Sequence, residues 1–136
     1  MELGAAAGAV TWWVVLVAAA SMFVLGGIWY GALFARPWQA LSGLSDEQVR
    51  TGTGRVFGVA ALASLVIAVV LALFIGPQAG VTVGATAGLL AGLGWVAPAI
   101  AMTYAFERRP ARLTLLDAAY HAVAFTVAGA LLGWLG

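Results

Sequence analysis

Formal charge in this chain is confined to a few short clusters, and the distances between them limit what it can fold into. Thirty-three uncharged residues separate Glu2 from Arg36, 51 separate Arg55 from Glu107, and 19 follow Asp117. A helix that crosses a hydrocarbon core of about 30 Å needs about 20 apolar residues. The first stretch therefore predicts one span over residues 10–34. The second is long enough for two, over 56–75 and 82–106, divided at Gly76-Pro77-Gln78-Ala79-Gly80, where glycine and proline punctuate a turn. A fourth span is predicted over 115–135. The early apolar run is too long for a signal peptide, and its only neighbouring charge is Glu2 rather than a basic leader. The chain reads as one all-α integral membrane domain, a bundle of four transmembrane helices.

Composition narrows the function. Charged residues make up 8% of the chain and hydrophobic ones 64%, whereas a soluble domain carries about 25% charged residues. A net charge of +1 provides no basic face for nucleic acid. Cysteine is absent and histidine occurs once, so disulfides, thiolate nucleophiles and multi-ligand metal sites have no residues to build them. Paired intramembrane carboxylates and a phosphate-binding glycine loop are also lacking, which argues against an enzyme. No metal and no cofactor are expected.

Orientation follows from the arginines. Arg36, Arg50 and Arg55 belong to the first loop, and Arg108, Arg109 and Arg112 to the third. With four spans these loops share a side, which the positive-inside rule makes cytoplasmic. Both termini are then expected outside. Arginine without lysine, with heavy use of alanine, glycine and valine, points to GC-rich coding and a bacterial inner membrane. Trp12, Trp13, Trp29, Tyr30 and Trp134 fall near predicted span ends, where aromatic side chains anchor at the interfaces. In the first loop, Ser45-Asp46-Glu47-Gln48 fits a capping box flanked by the staple pair Leu44 and Val49. Together with Trp38 and Leu41, this predicts one or two short helices at the cytoplasmic interface.

Helix packing in lipid relies on small residues that let backbones approach. Gly80, Gly84, Gly88 and Gly92 recur at intervals of four along the third span, Gly129 and Gly133 repeat the spacing in the fourth, and Gly27 and Gly31 in the first. Such faces serve either packing within the bundle or a homo-oligomer seam, and both uses are expected. Pro98 removes a backbone hydrogen bond and crowds the Gly94 carbonyl, which predicts a distorted, wider turn near Trp95.

Ionisable residues inside a span are functional candidates by default. Asp117 and His121 are four apart and share a helix face, with Tyr120 beside them. Tyr104 of the third span and Tyr30 and Trp29 of the first are expected at similar depth, with Glu107 and Arg108 just beyond. Such a cluster near the cytoplasmic leaflet can pass protons or bind a polar ligand. The bland alternative is that Thr114-Leu115-Leu116-Asp117 is itself a capping box and Asp117 merely caps the fourth helix. His121 lies about 10 Å along the helix from Thr114, and a hydrogen bond to Asp117 or a tyrosine would satisfy it without any activity.

Gly26-Gly27-Ile28-Trp29-Tyr30-Gly31-Ala32-Leu33-Phe34, followed by Trp38, resembles the signature of the bacterial four-span family known as domain of unknown function 1761. Phe106-Glu107-Arg108, then Asp117-Ala118-Ala119-Tyr120-His121 and Gly129, resembles that family's closing segment. Thr11 departs from the pattern, which has Asn there. The resemblance implies the same four-span fold and brings no mechanism with it. Two activities remain in view: an oligomeric channel or transporter for an ion or small solute, and a non-catalytic scaffold or accessory subunit that binds a membrane-protein partner through its glycine faces.

Overall fold

The computed structural model describes residues 2–136. Four helices are long and apolar enough to cross a membrane: Trp12–Leu33, Thr53–Ile75, Val81–Phe106 and Ala111–Leu135. Shorter helices at Leu3–Gly8, Ala35–Ser42 and Asp46–Arg50 complete the structure, and no strand occurs among the described residues. The fourth span is the hub. It packs against all three others, most extensively against the third, while the first packs against the second and fourth. The second and third barely meet.

The shared core is small-grained. Val14, Val15, Ala18, Ala19 and Met22 of the first span meet Ala68 and Leu71 of the second and Ala124, Phe125, Ala128 and Leu132 of the fourth. Leucines and phenylalanines instead dominate the outer faces, as at Leu16, Phe57, Leu62, Phe74 and Leu90. This is the expected inversion where lipid is the solvent, because hydrocarbon outside the helices is as apolar as leucine and only close packing distinguishes the inside.

The glycine stripe joins the third and fourth spans of one chain. A Cβ at Gly84 would collide with the Gly129 carbonyl oxygen, one at Gly88 with the Phe125 carbonyl, and one at Gly133 with the Gly80 carbonyl. Gly80 opens the third span at φ +92° and donates its N–H to the Gly133 carbonyl at 2.9 Å. A Cβ at Gly80 would meet nothing, but a side chain there would be strained by the positive φ. Gly27 and Gly31 share the spacing but meet nothing in the chain.

Two spans contain a wide π-helical turn. In the third, Gly92–Val96 precedes Pro98, with the Ala97 N–H reaching back five residues to the Gly92 carbonyl. The distortion expected around Trp95 therefore takes the form of an extra residue in one turn, a common response to strain in the hydrogen-bond ladder. In the first span, Trp29–Leu33 forms the second such turn, closed by Phe34 N–H to Trp29 carbonyl at 2.9 Å. No proline lies within it, and nothing in the sequence pattern anticipates it.

Helix ends correct one further expectation. The third span closes in a Schellman turn. Arg108 N–H donates to Ala105 at 3.2 Å and Arg109 N–H to Tyr104 at 3.0 Å, with Arg108 itself left-handed at φ +60°. Pro110 follows and starts the fourth helix at once, so the span begins at Ala111 rather than 115. Asp117 is then six residues inside, about 9 Å along the axis. It does not cap the helix.

In the first loop the capping box forms as read. The Gln48 N–H donates to Ser45 Oγ at 3.1 Å, and the Ser45 N–H donates to Gln48 Oε1 at 2.8 Å. Ser45→Ala is expected to destabilise this five-residue helix by about 1 kcal/mol. Amide hydrogen exchange at Gln48 and Val49 should accelerate about fivefold while the spans stay protected; unchanged exchange would mean that the box carries no stability.

Candidate polar site between three spans

The site lies near the arginine-bearing end of the bundle and is built by three spans. Asp117 projects from the fourth and is 7% exposed. Its two carboxyl oxygens accept from two tyrosines. Tyr30 Oη of the first span donates to Oδ1 at 2.7 Å, and Tyr104 Oη of the third donates to Oδ2 at 2.6 Å. A carboxyl group at this depth is costly unless its lone pairs are engaged, and the two hydroxyls engage both oxygens. The result is a polar side-chain tie that joins the first, third and fourth spans.

Tyr120 forms the second layer. Its hydroxyl donates to the Met22 carbonyl at 2.6 Å, and its ring meets three others edge-on or tilted: Trp29 at 6.1 Å, Tyr30 at 5.3 Å and His121 at 4.9 Å between centroids. Trp29 and Tyr30 are consecutive yet both reach Tyr120. They stand at the start of the wide turn, whose extra residue rotates the helix beyond it by about 100°. Gly26 makes room for the hydroxyl, since a Cβ there would lie 3.1 Å from Tyr120 Oη.

Two polar atoms in this layer are buried without a protein partner: Nε1 of Trp29 and Nδ1 of His121. The expected hydrogen bond from His121 to Asp117 or a tyrosine does not form. Both Asp117 oxygens are taken by Tyr30 and Tyr104, the Tyr120 hydroxyl turns to Met22, and His121 instead packs against the rings of Tyr120 and Phe125, the latter at 6.3 Å.

Glu107 and Arg108 stay outside the cluster. The turn after Phe106 carries them away from the bundle, where Glu107 Oε1 pairs with Arg109 Nε at 2.8 Å between half-exposed side chains. The Arg108 guanidinium donates back to the Phe106 carbonyl at 3.0 Å. Arg109, which no sequence motif singles out, is the arginine that reaches the site: its guanidinium carbon lies 4.9 Å from the Tyr104 ring centroid. Trp38 is also closer than expected, packing edge-on to Tyr30 at 5.5 Å. No group of three metal-ligating side chains occurs among the described residues.

The chemical capacity of this arrangement is specific. Tyr30, Asp117 and Tyr104 form a continuous hydrogen-bonded chain leading toward the arginine end. Beside it, an indole N–H and an imidazole nitrogen are buried without a protein partner. The chain matches the family described as "Protein of unknown function (DUF1761)" over residues 13–133. It belongs to that family. The DUF1761 match takes in every residue of the site and leaves out only the N-terminal helix and the extreme ends of the chain. Neither a curated protein nor a solved structure matches the chain.

Proposed function

We propose that this DUF1761 protein binds a proton or a small polar solute at the Trp29, Tyr30, Asp117 and His121 cluster and moves it across a membrane as a channel or carrier. The observation that carries this reading is the pair of buried, unpartnered atoms, Trp29 Nε1 and His121 Nδ1, on two rings that both pack against Tyr120. A buried polar atom without a partner costs about 1–3 kcal/mol. A guest offering both an acceptor and a donor would recover that energy, and the Asp117 chain lies next to it to accept or release a proton. All six arginines lie in the first and third loops or in the first turn of the span that follows each, which supports a cluster near the cytoplasmic leaflet with both termini outside. On this reading the loop helices rest at the cytoplasmic interface of a bacterial inner membrane, and several copies together line the path. The role is binding and transfer, without covalent chemistry.

The experiment is proton flux in proteoliposomes carrying a pH-sensitive dye, run on the parent, Trp29→Phe and His121→Ala. Trp29→Phe keeps an aromatic ring against Tyr120 and removes the indole N–H together with part of the indole's bulk. Flux is expected to fall to the level of empty vesicles in both variants while the melting temperature stays within a few degrees. Parent flux indistinguishable from empty vesicles would overturn proton transport. A small solute retained by the parent and lost from Trp29→Phe in native mass spectra would then support the solute reading.

A second reading is favoured by one observation. Toward the end away from the arginines, Val14, Ala18, Met22, Ala68 and Ala128 are at most 1% exposed. They form a closed apolar layer about 12 Å deep between residues 14 and 22. Beyond it lies a cavity of about 60 Å³ lined by Ala6, Val10, Thr11 and Pro77. A bundle closed in this way suits a scaffold or accessory subunit, in which the Asp117 tie only holds the spans together. Silent flux and an empty site, combined with co-purification of one defined membrane partner, would select it.

A further inference from the structure

The third and fourth spans touch backbone to backbone only as far as Gly92. Beyond the wide turn and Pro98 they separate, and the gap between them is a lateral groove of about 630 Å³ that opens on the bundle's outer face. Its walls are Leu93, Ala97 and Ala101 from the third span and Ala118 and Thr114 from the fourth, and Arg109 stands at its mouth. Small side chains make it a trough rather than a ridge. From Leu93 to Ala105 it runs about 18 Å along the helix, slightly more than the depth of one leaflet of a bilayer whose core is about 30 Å.

Charge is concentrated at one end only. Residues 107–112 carry three arginines against a single glutamate, so the mouth is cationic. Arg109 uses Nε for Glu107 and lays its face toward Tyr104, which leaves its two terminal nitrogens free to donate. Arg112, the second residue of the fourth span, is exposed. A trough of one-leaflet length, apolar along its walls and cationic at its mouth, has the complementarity of a single amphiphile with an anionic head. Basic sites between spans on one side of a membrane recognise lipid headgroups by this combination.

We propose that this groove is a binding site for one anionic phospholipid, with an acyl chain along Ala97, Ala101 and Ala118 and the headgroup phosphate on Arg109. The site shares Arg109 with the edge of the polar cluster but does not depend on the cluster's activity. Its floor nevertheless adjoins the helix turn that carries Asp117, so an occupied groove would hold the third span, and with it Tyr104, at a fixed distance from the fourth.

The test is native mass spectrometry of the full chain released from nanodiscs of phosphatidylglycerol and phosphatidylcholine in equal amounts. One retained phosphatidylglycerol per chain, preferred at least fivefold, is expected for the parent. Arg109→Gln should reduce the preference about fivefold, and Arg109→Lys, which keeps the charge, should restore most of it. Ala101→Trp should displace the lipid without altering the melting of the folded protein by more than a few degrees. If Ala101→Trp does not fold, the Arg109 pair decides alone. Equal retention of the two lipids, loss of all lipid from the parent, or a second copy of the chain seated in place of lipid would each overturn the proposal.

Discussion

Gly88→Leu is expected to separate the third and fourth spans and to destabilise the protein by at least about 3 kcal/mol. A Cβ at this position collides with the Phe125 carbonyl, and the next nearest atoms, the Phe125 carbonyl carbon and Thr126 Cα, are also backbone. No rotamer change can relieve the contact, so the helices themselves must move apart. Displacement would also break the register that brings Tyr104 to Asp117, because both sit further along the same two helices. Gly27→Leu is the matched control: it adds the same side chain to a position that meets nothing in the chain and should stay within about 1 kcal/mol of the parent. Unfolding in mixed micelles of rising denaturing-detergent fraction measures both. Equal midpoints for the two variants would mean that the seam is not the principal contact of the bundle.

Asp117→Ala is the second large effect. It removes two interhelical hydrogen bonds at once and leaves the hydroxyls of Tyr30 and Tyr104 without their acceptor. Strong bonds of this type in membrane bundles reach about 1.7 kcal/mol each, so a loss of about 3 kcal/mol is expected. Asp117→Asn keeps one acceptor oxygen and should lose about half as much. Tyr30→Phe and Tyr104→Phe remove one hydroxyl each, and a double-mutant cycle with Asp117→Ala should show that either tyrosine change becomes nearly silent once the carboxyl group is gone. Additive losses in that cycle would mean that the bonds contribute nothing to stability and that the tyrosines act through packing alone.

The spans were readable because bilayer thickness imposes a length on any uncharged helix, and the charge clusters bracket those lengths. The glycine seam was readable as a pattern but not as a pairing. The four-residue spacing is the same in Gly27 and Gly31, which face away, as in Gly84 and Gly88, which lie against the fourth span. The cluster was legible to the extent that Tyr30, Tyr104, Asp117, Tyr120 and His121 do come together. Its bonding was not. Whether Asp117 lies at a helix start or deep inside depends on where the preceding turn ends, and a left-handed arginine does the work there that glycine usually does. Glu107 and Arg108 looked like neighbours of the cluster by sequence distance, and the same turn directs them outward. The wide turn at Trp29 carries no proline signal, so both the turn and the shared contact of Trp29 and Tyr30 with the Tyr120 ring are visible only in three dimensions.

The hub of the bundle is also the span that leaves the ribosome last of the four. Until Ala111–Leu135 enters the membrane, the first three spans share little: the first has the second to pack on, while the third has almost nothing, and its glycine face and Tyr104 wait in lipid. Completion of the fold is therefore deferred rather than built up step by step. When the fourth span arrives, it forms the seam with the third, fills the core against the first and second, and brings the one carboxyl group that both waiting tyrosines can use. Insertion order makes the chain a set of loosely associated helices for most of its synthesis, and its final twenty-five-residue helix turns them into a single body.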